Sequence, residues 1–76
     1  MEAYVLVQTE VGAAADASDE IGAPEGVVSA EAITGPYDVI ARVQTEDVDT
    51  LGKLVVSRIH VVAGVTRTLT CRVVHL

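Results

Sequence analysis

The tetrapeptide Val7-Gln8-Thr9-Glu10 recurs as Val43-Gln44-Thr45-Glu46. Each copy stands where a β-branched run gives way to a segment with helical spacing. Gly26-Val27 and Gly64-Val65 echo one another in the same way, each opening the apolar run that follows a helical segment. A chain punctuated alike at two such places fits two βα-β halves.

The halves can be read in order. Residues 3–9 form a β-branched strand. Residues 12–21 read as an Ala-rich helix with Val11, Ala14, Ala15, Ser18 and Ile21 facing inward and Asp16, Asp19 and Glu20 outward. Breakers at residues 22–26 end it. Strands at 27–33 and 39–43 flank a polar turn, Thr34-Gly35-Pro36-Tyr37-Asp38. A second helix spans residues 47–61, with Val48, Leu51, Val55, Ile59 and Val62 at helical spacing. Gly64 closes it, and residues 65–74 make the last strand. Acids at both helix starts (Glu10; Glu46, Asp47, Asp49) suit the positive end of the helix dipole. The order β-α-β-β-α-β predicts an α+β, ferredoxin-like domain over residues 1–76, with a four-stranded antiparallel sheet.

Seventy-six residues bury only about 60% of the unfolded surface, yet half of this chain is apolar and its mean hydropathy is +0.44. The strands carry the excess. Tyr4 and Leu6 oppose Val5 and Val7; Ile40 and Arg42 oppose Val39, Ala41 and Val43; Leu69 and Cys71 oppose Thr66, Thr68 and Thr70. One face packs on the helices, and the other is too apolar for water. A homodimer pairing sheet to sheet, as a dimeric α+β barrel, follows as the expectation.

Charge narrows the partners. The first 38 residues hold eight acids and no Lys or Arg, and the net charge is −6. No clustered basic face serves a phosphate backbone, which argues against direct nucleic-acid binding. The amino terminus is acidic and the apolar runs are short, which argues against export and against a membrane span. A cytoplasmic protein is the simplest expectation.

Dedicated chemistry is sparse. One Cys and two His (Cys71, His60, His75) make no metal-ligand spacing. Cys71 reads as a small hydrophobe on a buried strand face. No nucleophile elbow, Walker or dinucleotide motif occurs, so neither catalysis nor a cofactor is expected. The turn is better equipped. Gly35 and Pro36 shape it, Tyr37 packs at the sheet edge and Asp38 can bond loop amides. Exposed amides with an acid and a Tyr could also hold a zwitterion, although the chemistry alone favours the structural reading. Alternating Thr66, Thr68 and Thr70 is ordinary strand composition, though its hydroxyls could line a polar site.

Taken as an ordered set, Gly26-Val27-Val28, Thr34-Gly35-Pro36-Tyr37-Asp38, the helix around residues 51–59 and Gly64-Val65-Thr66-Arg67-Thr68-Leu69-Thr70 resemble the ligand-binding and oligomerisation (RAM) domain of the Lrp/AsnC family. The likeness spans residues 3–76. It implies sheet-facing dimers assembled further into rings, and a small effector, typically an amino acid, held near the hairpin turn where dimers meet. By that analogy Gly35, Pro36, Tyr37 and Asp38 frame the pocket, and Thr68 and Thr70 are secondary candidates for it. The chain opens directly on the first strand, so it resembles stand-alone members without the DNA-binding helix-turn-helix. Such a module would act through assembly or by joining full-length regulators. The alternatives are a small dimeric α+β barrel enzyme acting on a small organic molecule, and a purely structural oligomerisation module.

Overall fold

In the computed structural model, which describes all 76 residues, the elements follow the expected order. They are β1 (Glu2–Thr9), α1 (Ala14–Gly22), β2 (Val27–Ala32), β3 (Val39–Gln44), α2 (Val48–Leu54) and β4 (Val65–Arg72). A π-helical turn, Val55–Ile59, continues α2. The strands form one antiparallel sheet in the order β2-β3-β1-β4, the ferredoxin-like arrangement. The two strands that lead into helices, β1 and β3, therefore lie side by side at the centre.

The core is one layer between helices and sheet. Ala3, Val5 and Val7 from β1 and Val39, Ala41 and Val43 from β3 are buried against Ala17, Ile21, Leu51, Val55, Ile59 and Val62. Alternation then sends Tyr4, Leu6, Ile40, Leu69 and Cys71 to the opposite face. Cross-strand pairing sets Leu6 beside both Ile40 and Leu69, and Tyr4 beside Arg42 and Cys71. That face is open: Tyr4 is 39% and Leu69 45% exposed. Its one ion pair joins Arg42 Nη2 to Glu2 Oε1 at 2.9 Å. The guanidinium pKa is raised, first by that hydrogen bond and then by the charge of Glu2.

The helices start differently. Asp47, extended at φ −151°, caps α2 by accepting the Thr50 N–H at 2.7 Å. That bond holds the Asp47 carboxyl below its ordinary pKa. No side chain caps α1. The residues before α1 form a tight turn, with the Ala13 N–H donating to Glu10 O at 3.0 Å.

Two expectations are corrected. Val11 lies in the turn before α1 and is fully exposed, Ala15 faces water too, and the helix buries Ala17 and Ile21, with Ala14 and Ser18 half-buried. Cys71 is exposed in the subunit, because it stands on the open face rather than the helix-covered one. The second helix buries Leu51, Val55 and Ile59 as expected, Val62 is buried just beyond its end, and Val48, at its first position, remains exposed.

Candidate functional site

The turn between β2 and β3 is fastened to the end of β1. Gly35 adopts φ +144°, a left-handed conformation that side chains rarely take. Asp38 anchors the exit three ways. Its N–H donates to Val7 O at 2.8 Å, its carbonyl accepts the Ile33 N–H at 2.9 Å, and its Oδ2 accepts the Thr9 N–H at 2.7 Å. Gln8 Nε2 donates to Pro36 O at 3.0 Å. Gly35 and Pro36 are exposed, while Tyr37 and Asp38 are half-buried. The loop is thus presented outward on a fixed base.

The anchoring residues Gln8 and Thr9 come from the first copy of the repeated tetrapeptide. The second copy behaves in parallel, since the Thr45 N–H donates to Met1 O at 2.9 Å. Each threonine amide is used at a strand end, but only Thr9 meets a side chain. Sequence reasoning placed Asp38 on loop amides and missed Gln8 and Thr9 as the partners. The repeat was the available signal.

Thr68 and Thr70 stand apart from the turn. They pair with Val7 and Val5 of β1, which puts them on the helix-covered side of the edge strand β4. Strand β1 lies between them and the turn, a gap of about 10 Å at ordinary strand spacing. Thr68 Oγ1 meets His60 Nε2 at 2.7 Å. His60 directly follows the π-helical turn, whose closing bond runs from His60 N–H to Val55 O at 2.9 Å. The sequence offered no signal for this contact. Thr70 is exposed and has no side-chain bond within the subunit.

Surface clefts lie elsewhere than the turn. The largest, about 580 Å³, runs between α2 and the ends of β2 and β3, lined by Glu25, Gln44, Glu46, Lys53 and Arg58 among others. A second, about 360 Å³, is lined by His60, Val65, Thr66, Arg67 and Thr68. None of the four clefts includes residues 34–38. Within one subunit, then, the turn lines no cleft. No cluster of three or more His, Cys, Asp or Glu is placed to hold a metal ion. No helix is long and apolar enough to cross a membrane.

The antiparallel βαββαβ fold is that of a known class of ligand-binding domains. The Lrp/AsnC ligand binding domain matches residues 2–75, and the chain belongs to that family. The crystal structure of TTHA0845 from Thermus thermophilus is similar over 99% of this chain and 94% of that one, with 29% identity and a TM-score of 0.92. E. coli AsnC is 17% identical, with a TM-score of 0.89 over 99% of this chain and 51% of AsnC. The transcriptional regulator NMB0573 of Neisseria meningitidis, solved as an L-Met complex, is 18% identical, with a TM-score of 0.84 over 97% of this chain and 49% of that one. The chain thus spans about half the length of these two regulators. No curated protein matches the sequence significantly.

Proposed function

We propose that residues 1–76 form one effector-binding and oligomerisation domain. It takes a small amino acid at the Gly35-Pro36-Tyr37-Asp38 turn and couples occupancy to assembly. The carrying observation is that the turn is locked to β1 through Asp38 and Thr9 yet lines no cleft of its own subunit. A concave pocket at this place needs a second copy as its other wall. Exposed turn amides suit the ligand's carboxylate, and the Asp38 oxygen not held by Thr9 suits its ammonium. Thr68 and Thr70, about 10 Å away across β1, would approach a ligand only from a neighbouring copy.

The open face of Tyr4, Leu6, Ile40 and Leu69 supports sheet-to-sheet homodimers, and rings of such dimers would bring turns to subunit boundaries. Membership of a ligand-binding family and the L-Met complex of the Neisseria relative support an amino acid as the effector class. In this reading the domain is a cytoplasmic regulatory part without catalysis or direct DNA contact. It acts through its own assembly or by joining a full-length regulator. Coupling requires the ligand to bind one assembly state better than another.

Thermal unfolding and light-scattering chromatography against the twenty amino acids test it. One amino acid should raise the unfolding temperature and change the assembly size, because ligand bound only to the folded assembly stabilises it by mass action. Silence from all twenty would overturn the proposal.

A further inference from the structure

The open face of the sheet is apolar along its middle and carries a lone charge at each edge. One cross-strand row runs Leu69, Leu6, Ile40 and Glu31, from β4 through β1 and β3 to β2. Glu31 therefore shares the face of Ile40, and the two line a shallow hollow of about 250 Å³ with Tyr4, Ser29 and Arg42. Arg67 alternates with Leu69 and pairs with Gln8 of β1, which puts it on the same face, one row further along β4. Arg72, by contrast, pairs with Ala3 and stands on the helix side.

Glu31 and Arg67 are left over within the subunit. Arg42 and Glu2 satisfy each other in its single ion pair. Both edge residues are exposed. With β3 and β1 between them, the edges lie about 14 Å apart at ordinary strand spacing, too far for the two to meet in one sheet.

A sheet that faces its own copy across a two-fold axis can do so in two ways. An axis across the strands lays β2 over β2 and β4 over β4, which gathers acid with acid and base with base. An axis along the strands lays β2 of one subunit over β4 of the other. Each Glu31 then comes within one row of the partner's Arg67, twice per dimer. Ile40 comes over the partner's Leu6, so the apolar row still packs on itself. Packed sheets stand roughly 10 Å apart, a gap that a glutamate and an arginine side chain span together. Charge separates the two arrangements, since opposite charges across an interface fix its register and like charges oppose it.

We propose that Glu31 of one subunit pairs with Arg67 of the partner subunit, and that this reciprocal pair fixes the dimer with β2 over the partner's β4. The occupant of the open face is a second copy, in one orientation. The inference rests on the sheet-to-sheet reading above and adds to it the residues that select a partner. A related domain without an acid at the β2 edge and a base at the β4 edge is a poorer partner for this chain.

The test mixes two charge-reversed chains, Glu31→Arg and Arg67→Glu, one of them isotope-labelled, and reads dimer composition by native mass spectrometry. Each chain alone turns both attractions of its homodimer into repulsions, so that dimer should weaken by about tenfold or more. Mixed in equal amounts, the two chains rebuild both pairs, and more than about nine-tenths of the dimers should be mixed, against half for random exchange. Added salt should bring the mixture back toward random. Both reversals in one chain should restore the homodimer. Asp19→Arg with Lys53→Glu makes the same changes of net charge at exposed helix positions and should exchange at random.

Random exchange between Glu31→Arg and Arg67→Glu would overturn the proposal. So would an equal excess of mixed dimers in the Asp19 and Lys53 control, or a double reversal no tighter than either single. Leu69→Glu distinguishes this failure from that of the sheet dimer. If it yields a monomer while the charge-reversed chains exchange at random, the sheet dimer stands and the Glu31–Arg67 pair falls. If it leaves the dimer intact, both fall.

Discussion

The carboxylate of Asp38 accepts the backbone N–H of Thr9 at 2.7 Å, tying the β2–β3 turn to the last residue of β1. One oxygen is thereby committed to structure, and the other has no hydrogen-bond partner within the subunit. The structural role and the proposed ligand role can be separated. Asp38→Ala removes both and should lower stability by about 1–2 kcal/mol, the worth of a partly buried hydrogen bond to a charged group. Asp38→Asn keeps an acceptor for Thr9 and should retain most of that stability while losing the amino-acid response. Urea unfolding read beside ligand-induced thermal shifts checks both.

Gly64 and Gly52 should respond in opposite directions to alanine. Gly64 sits at φ +89°, and a Cβ there would lie 2.6 Å from the Ala13 Cβ, at the junction where the Glu10 N–H bonds Gly64 O. Gly64→Ala should cost at least about 1–2 kcal/mol through backbone strain alone. Gly52 is inside α2, and a Cβ added there would meet nothing within 4 Å. Gly52→Ala should stabilise by about 0.5–1 kcal/mol. Chemical denaturation of the two variants is the check.

The core has little redundancy. Ile59 is fully buried at the end of the π-helical turn. Ile59→Ala should cost about 2–5 kcal/mol, set against a total of roughly 4–11 kcal/mol for a domain of this length. Circular dichroism melts should show the variant largely unfolded near physiological temperature or stable only as an oligomer.

Acid should weaken the start of α2. Asp47 has its folded pKa lowered by the Thr50 N–H. Its stabilisation is present above the unfolded carboxyl value of 3.8 and is lost as pH falls through the folded value. Asp47→Asn retains an acceptor without the titration. Between about pH 5 and about pH 3, where carboxyls titrate, the urea midpoint of the wild type should fall further than that of Asp47→Asn.

Leu69 tests the open sheet face. Leu69→Glu places a charge beside Leu6, its cross-strand neighbour, within the apolar patch of Leu6, Ile40 and Leu69. Sedimentation should show a monomer with native circular dichroism. An intact dimer would mean that copies associate elsewhere.

Strand and helix patterning made the topology legible, and the two alike strand-to-helix junctions supported it. Side-chain phase was harder. Val11 continues the helical spacing of α1 but falls in the turn closed by Ala13 and Glu10, so it faces water. Cys71 misled because both faces of β1 are apolar. Tyr4 and Leu6 look as core-like as Val5 and Val7, and only the packed helices decide between them. The Asp38 anchor was foreseen in kind. The His60–Thr68 contact was not, since it lies directly after a π-helical turn, which the helical spacing of the sequence does not reveal.

The most direct measurement is sedimentation velocity of the wild type and Asp38→Ala, each with and without the amino acid that most raises the wild-type unfolding temperature. Ligand should shift the wild type between assembly states and leave Asp38→Ala a dimer throughout. An equal shift in both proteins, or none in the wild type, would contradict a ligand-coupled assembly built on the Asp38 turn.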